Sequence, residues 1–267
     1  MKFSVSELSY LRSSLISSPP LRPDCRKPGQ FRPVESEVDW LPFTNGSARV
    51  RAADGSECIV GIKTKVVARS EGSLIEPSVD ITGYKDNDPL PNSLAEALRH
   101  TLNACPELTA QLILTEKYAF RLYVDCVVLS FTSHPLSLLS LAVFRALKST
   151  RLPQLISSRD DTLVDEIPQF NDDWDAAQPI CTKWSPPLVL LLAIVGDNVL
   201  LDPTDAELEV AETALCITWK NNAIAAPIKN VDIGSGKNVG GYNPKVLLDA
   251  YDLVQSCAAQ VVSMIVS

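Results

Sequence analysis

Five carboxylates stand within thirteen residues in LLDPTDAELEVAE, residues 200–212: Asp202, Asp205, Glu207, Glu209 and Glu212. Carboxylates that converge on one point can hold a divalent cation for hydrolysis or move a proton in a reaction. In an extended segment Asp205, Glu207 and Glu209 share one face. No basic phosphate clamp accompanies them, so the pattern predicts an exposed strand edge rather than a metal-dependent hydrolase. GSGKNVGG at 234–241 lacks the preceding strand and the spacing of a phosphate loop and reads as a flexible turn. His100 on a predicted helix and His134 just before another have no serine or cysteine nucleophile motif beside them, and both read as structural. The seven cysteines are scattered singly, with no CxxC pair and two histidines in the chain, which implies reduced intracellular thiols acting mostly as apolar filler. No metal and no cofactor is implied.

The elements that must position these residues follow from hydrophobic periodicity. Val5, Leu8, Leu11, Leu15 and Ile16 fall at helical spacing behind Ser4 as N-cap, so the N-terminus predicts an amphipathic helix rather than a secretory signal. FRPVESEVDWLPF, SARVRAA, ECIVGIKTKVVA and SLIEPSVDIT read as adjacent antiparallel strands joined at TNGS, ADGS and SEG. PNSLAEALRHTLNA follows as a helix, the alternating LTEKYAFRLYVDCVVLS as a long half-buried strand, and PLSLLSLAVFRALKST as an apolar helix. In the second half PLVLLLAIV, NVLLD, EVAETALCITWK and AIAAPIKNVDI read as strands. A terminal helix then opens at Asn243 and Pro244, with an apolar stripe of Leu247, Leu248, Tyr251, Val254, Ala258, Val261, Val262 and Ile265. The fold class is α+β with two sheet-and-helix units. Their expected bounds are an N-terminal helix and extended segment over 1–30, a first unit over 31–152, an acidic proline-containing connector over 153–186 and a second unit over 187–267.

The chain has 267 residues, 46% of them hydrophobic, and a net charge of −8. That charge excludes a protein coating nucleic acid over its whole surface. The distribution is uneven: residues 1–69 carry eleven basic against seven acidic side chains, and residues 159–175 carry seven acids against Arg159. The apolar run Leu188–Val195 is far short of the roughly 20 residues that span a bilayer, so a buried strand and no membrane association is expected.

RPDCRKPGQFRP at 22–33, GSECIVGIKTKV at 55–66, YAFRLYVDCVVLSFTSHPLSLLSLAVFRAL at 118–147 and PPLVLLLAIVGDNVLLDPTDAELEVAETALCITW at 186–219 together resemble the RNase PH family. More narrowly they resemble the core-ring subunits of the eukaryotic exosome, and the resemblance covers nearly the whole chain after about Pro19. It implies the RNase PH fold, which is ribosomal protein S5 domain 2-like. Active members use inorganic phosphate to attack the 3′-terminal phosphodiester of RNA. In them a GTR or GSR triplet opens the helix after the long strand; here His134, Pro135 and Leu136 stand there, and Leu136 cannot grip phosphate. A pair of aspartates of active members falls at Leu200 and Ala206, while Asp202 matches an aspartate that belongs to the fold. A helical arginine of active members has no match in PNSLAEALRHTL unless Arg99 substitutes for it from a different turn.

The resemblance therefore implies a non-catalytic structural subunit, the alternative being an active phosphate-dependent 3′ to 5′ exoribonuclease. It also implies partners: other RNase PH-like ring subunits, cap proteins with S1 and KH domains, a separate catalytic exoribonuclease, and RNA passing through the central channel. The implied location is nucleus, nucleolus and cytoplasm. Arg22, Arg26, Lys27 and Arg32 are candidates for contact with RNA or a cap protein, against a structural arginine network at the N-terminal strand. Cys25 departs from the glycine usual in RPDGR, and a turn with positive φ there would be strained by cysteine.

Overall fold

The structure is a computed structural model that describes residues 3–85, 87–157, 167–231 and 243–266. Helix α1 (Val5–Ile16) opens where expected: Ser4 Oγ accepts from the Glu7 backbone N–H, and the Glu7 carboxylate accepts from the Ser4 N–H, a reciprocal capping box. The first sheet contains β1 (Val34–Val38), β2 (Gly46–Ala52), β3 (Glu57–Ala68), β4 (Ile75–Ile81) and β5 (Tyr118–Ser130), in the order β1-β2-β3-β5-β4. The first three form an antiparallel meander, with Gly55 at φ +86° in the β2–β3 turn.

β4 does not continue that meander, contrary to the expected run of adjacent antiparallel strands. β5 lies between β3 and β4 and pairs with β4 in parallel. The physical reason is the connection: after β4 the chain passes through α2 (Pro89–Asn103) and α3 (Pro106–Leu112), a crossover long enough to bring the next strand back in the same direction. Pro77 suits the edge position, because proline cannot donate to a second ladder. Helix α2 starts two residues before Pro91, and α3 had no strong periodic signal over its seven residues.

Helix α4 (Leu136–Ser149) leads through β6 (Arg151–Leu152), a 3₁₀ turn at Trp174–Ala176 and β7 (Gln178–Pro179) to the second sheet. There β8 (Leu188–Val195), β9 (Asn198–Leu201), β10 (Thr213–Lys220) and β11 (Ala223–Val231) are antiparallel in the order β11-β10-β8-β9. Helix α5 (Asp205–Val210) lies between β9 and β10, and α6 (Pro244–Val266) ends the fold.

The run LVLLLAIV lacks alternation because β8 is buried on both faces. Val189, Leu191 and Ala193 join the core that α4 shares with the first sheet, whereas Leu188, Leu190, Leu192 and Ile194 pack with α6. Being held between the two sheets, α4 buries nearly its whole circumference. Gly46 admits its C-terminal end: an added Cβ would lie 2.6 Å from Thr150 Cα. On α6 the buried stripe runs through Val246, Ala250, Val254, Ala258, Val261 and Ile265. Leu248, expected within that stripe, is exposed because it lies two residues off this face.

Candidate functional site

The N-terminal segment after α1 crosses the start of LLDPTDAE, and three arginines close the join. Arg22 donates from Nε to Glu207 Oε1 at 2.7 Å and from Nη2 to Oε2 at 2.8 Å, a bidentate pair whose two side chains are fully buried. Its Nη1 also donates to the Leu201 carbonyl at 3.0 Å. Arg32 grips both oxygens of the buried Asp202 at 2.7 Å, and its backbone N–H donates to Oδ2 at 3.2 Å. Arg26 adds a bond to Asp202 Oδ2 at 2.9 Å and a second to the Asp202 carbonyl at 2.9 Å. Asp24 and Asp54 complete the cluster on Arg26 and Arg32. Burial disfavours the charged forms of Asp24 and Asp54, but hydrogen bonds from Arg26 and from Thr132 outweigh it and hold both carboxyls below their ordinary range.

The acidic window is therefore no exposed strand edge. Thr204 caps α5 by accepting from the Glu207 N–H, and Glu207 Oε2 accepts from the Thr204 N–H at 2.8 Å. The T-x-x-E spacing is a capping-box signal that outranks the apparent alternation, and on a helix Asp205 and Glu209, one turn apart, share a face from which Glu207 diverges. Glu207 turns inward to Arg22, while Asp205 and Glu209 line a pocket of about 440 Å³ with Tyr84, Ser133 and His134. Among the described residues no group of three or more His, Cys, Asp or Glu side chains could hold a metal ion.

At the start of α4 the N-cap is Pro135, and the Leu136 N–H donates to His134 Nδ1 at 3.4 Å. Leu136 is buried in the core shared by both sheets, and the Ser133 and Ser137 hydroxyls beside it are buried without a hydrogen-bond partner. Leu200 belongs to a different apolar cluster, with Leu15, Val195 and Val210 under α1, and Ala206 is half-buried on α5. Leu136 and Leu200, two of the positions where the resemblance implies lost catalytic groups, serve as core in separate places. His100 lies on α2, 3.3 Å from Glu96 one turn earlier. The 234–241 stretch lies outside the described residues. Of the four basic candidates, Arg22, Arg26 and Arg32 are committed to the internal carboxylates, and Lys27 is exposed.

Burial pushes His134 down to about 4. An unfolded chain titrates histidine near pH 6.5, so between those values it binds a proton that the folded state refuses, and stability falls as pH is lowered through that window. Below about pH 4 the contribution of Asp24 and Asp54 is lost as well, since their lowered values make it complete only above the ordinary carboxylate range. Denaturation midpoints from pH 7 to 3 should decline in two stages, and His134→Gln should flatten the first. An unchanged upper slope in that variant would assign it elsewhere.

No family model matches the sequence. The chain is 44% identical over 264 residues to the exosome complex component RRP42 of Saccharomyces cerevisiae, covering 98% of both. It belongs to the Rrp42 family of exosome components. The exosome complex component rrp42 of Schizosaccharomyces pombe is 32% identical over 255 residues, 88% of this chain and 84% of that one. In fold, the chain matches a structure described as the Archaeoglobus fulgidus exosome with RNA bound to the active site, with a TM-score of 0.74 at 20% identity over 97% of each chain. Rice Rrp46 matches with a TM-score of 0.65 at 14% identity over 90% of this chain and 96% of that one. The α+β, RNase PH-like fold expected from the sequence is thereby established.

This Rrp42-family chain carries Cys25 exposed at φ +60°, the left-handed conformation in which cysteine is strained. Cys25→Gly is expected to raise the melting temperature by about 2 °C, since relief of the turn exceeds the added entropy of the unfolded chain. Differential scanning calorimetry of both proteins measures it, and a lower melting temperature would show that the thiol contributes packing.

Proposed function

We propose that the chain is a non-catalytic subunit of an exosome core ring, supporting 3′ to 5′ RNA processing and degradation, ribosomal RNA maturation included, by helping to build the RNA channel. The observation that carries this reading is the near full-length identity to an exosome complex component. The site geometry agrees with it: a proline and a buried leucine stand at the helix start where active relatives grip phosphate. The two inward carboxylates, Asp202 and Glu207, are closed off by arginines. Phosphorolysis needs cationic or N–H groups on phosphate and carboxylates free to move protons, and losing one such contact typically costs about 100-fold or more in rate.

The partners in this reading are other RNase PH-like ring subunits, of which rrp43 of Schizosaccharomyces pombe is a relative 25% identical to this chain. Cap proteins with S1 and KH domains, a separate exoribonuclease and RNA in the channel complete the set. The assembly works in nucleus, nucleolus and cytoplasm. Lys27 is the basic candidate left for an RNA or cap contact, with Arg22, Arg26 and Arg32 holding the join between the N-terminal segment and α5.

Native mass spectrometry of the tagged chain purified from its own cells tests the assembly. A hetero-oligomer holding one copy of the chain is expected, and the chain alone with inorganic phosphate and a short RNA should release no nucleoside diphosphate. A homohexamer that does release it would restore the alternative of an active exoribonuclease.

A further inference from the structure

The β1–β2 connection carries an aromatic side chain that the fold itself does not use. Phe43 is 97% exposed and sits at φ +61°, and Asp39 four residues earlier sits at φ +54°. Aspartate tolerates such a conformation, as glycine and asparagine do, but a bulky residue such as Phe43 there is an outlier that marks function or strain. The loop is nevertheless firmly held. Asp39 N–H donates to the Ser47 carbonyl at 2.9 Å and Leu41 N–H to Ser47 Oγ at 2.8 Å, while Asn45 N–H donates to the Ile62 carbonyl at 2.8 Å. Asn45 Oδ1 accepts from Thr64 N–H at 2.9 Å. Leu41 rests over Gly61, where an added Cβ would come within 3.0 Å of it, and the Arg49 guanidinium lies 4.4 Å from the centre of the half-exposed Trp40 ring. Phe43 is thus an exposed aromatic on a preorganised support, the form in which a side chain contributes most to binding because little freedom is lost on contact.

The surroundings say what kind of partner fits. β1 is an edge strand. Bonds at Ala53 N–H to Pro33 O and Asp39 N–H to Ser47 O set the odd residues facing β2. The backbone groups of Val34, Ser36 and Val38 therefore point away from the sheet, where another chain can reach them. Val38 is 38% exposed and Trp40 45%, so an apolar strip runs from this edge to Phe43. Glu35, Glu37 and Glu57 outnumber Arg49 and Arg51 on the face that β1 shares with its neighbours, where Arg49 lies 3.6 Å from Glu37, and the acidic excess disfavours an RNA backbone and favours basic side chains.

We infer that the 38–43 strip is a protein-docking anchor. Phe43 enters an apolar pocket on a neighbouring RNase PH-like ring subunit, whose basic side chains face Glu35 and Glu37. This rests on the ring-subunit reading above. Phe43→Gly distinguishes an anchor from a structural residue because its two effects have opposite signs. Relief of the positive φ should raise the melting temperature of the chain by about 2–4 °C, while affinity for the assembly falls at least about 10-fold.

The experiment compares wild type, Phe43→Gly and Phe43→Asp, each tagged and purified from its own cells, by native mass spectrometry and by hydrogen exchange of residues 38–45. Expected are protection of this loop in the wild-type assembly and loss of neighbouring RNase PH-like chains from both variants. Variants that retain every neighbour as firmly as wild type overturn the anchor and leave the ring reading intact. A wild-type chain without such neighbours overturns the ring reading itself. Protection that arises only on adding single-stranded RNA would assign the loop to RNA and overturn the protein anchor.

Discussion

Glu207→Ala is expected to lower the unfolding free energy by about 3–5 kcal/mol, read as the shift in a chemical denaturation midpoint. The substitution removes the only carboxylate paired bidentately with Arg22 among the described residues, and leaves that guanidinium fully buried without its counter-charge. It also removes half of the α5 capping box. The other carboxylate within reach is Asp24, 3.7 Å from Arg22 Nε and already bonded to Arg26. A paired replacement, Arg22→Met with Glu207→Leu, should recover much of the loss, because two apolar groups leave no buried charge unmatched. Arg12→Ala should by contrast change stability by less than about 1 kcal/mol, since the Arg12–Glu212 pair is half in solvent. A loss under about 1 kcal/mol for Glu207→Ala would mean that Arg22 turns to Asp24 or to water, and that the N-terminal segment is held mainly by its backbone contacts.

Phe144→Ala is expected to cost about 3–5 kcal/mol as well, by a different route. Phe144 is fully buried on α4 and packs into the cluster that joins β8, β10 and α6. Deleting its ring opens a cavity at the seam between the two sheets, where Leu141 is its neighbour in that cluster and Leu139 and Ala142 belong to the other. Thermal unfolding together with hydrogen exchange measures the effect: α6 and β8 amides should lose protection more than those of β1 and β2. A loss under about 1.5 kcal/mol would show that α6 collapses into the space.

The two substitutions separate what was legible in the sequence from what was not. The capping of α1, the limits of β3, the C-terminal limit of β5, the apolar α4 and the double burial of β8 all follow from local signals: a Ser-x-x-Glu box, alternation, and an unbroken apolar run. The placement of β4 did not, because strand pairing depends on a crossover through α2 and α3 rather than on turn residues beside it. The acidic window departs from the expected strand for a related reason. Period-two acids in a short segment mimic a strand face, and only the Thr204–Glu207 box marks the helix.

At the site, the sequence by itself determined that the side chain at position 136 carries no hydrogen-bond donor, since no fold can give one to a leucine side chain. It also determined that Cys25 would be strained wherever a left-handed turn was required, as its φ of +60° demonstrates. What only the tertiary structure decided is the partner of each charge. Arg22 and Glu207 are 185 residues apart, and Arg32 and Asp202 are 170 apart. Composition shows basic residues near the N-terminus and acids near residue 205, but a charge in water and a charge sealed against its opposite have the same letters. Desolvation requires each buried guanidinium to find a carboxylate, and that requirement is met only when the segment after α1 lies across the start of α5.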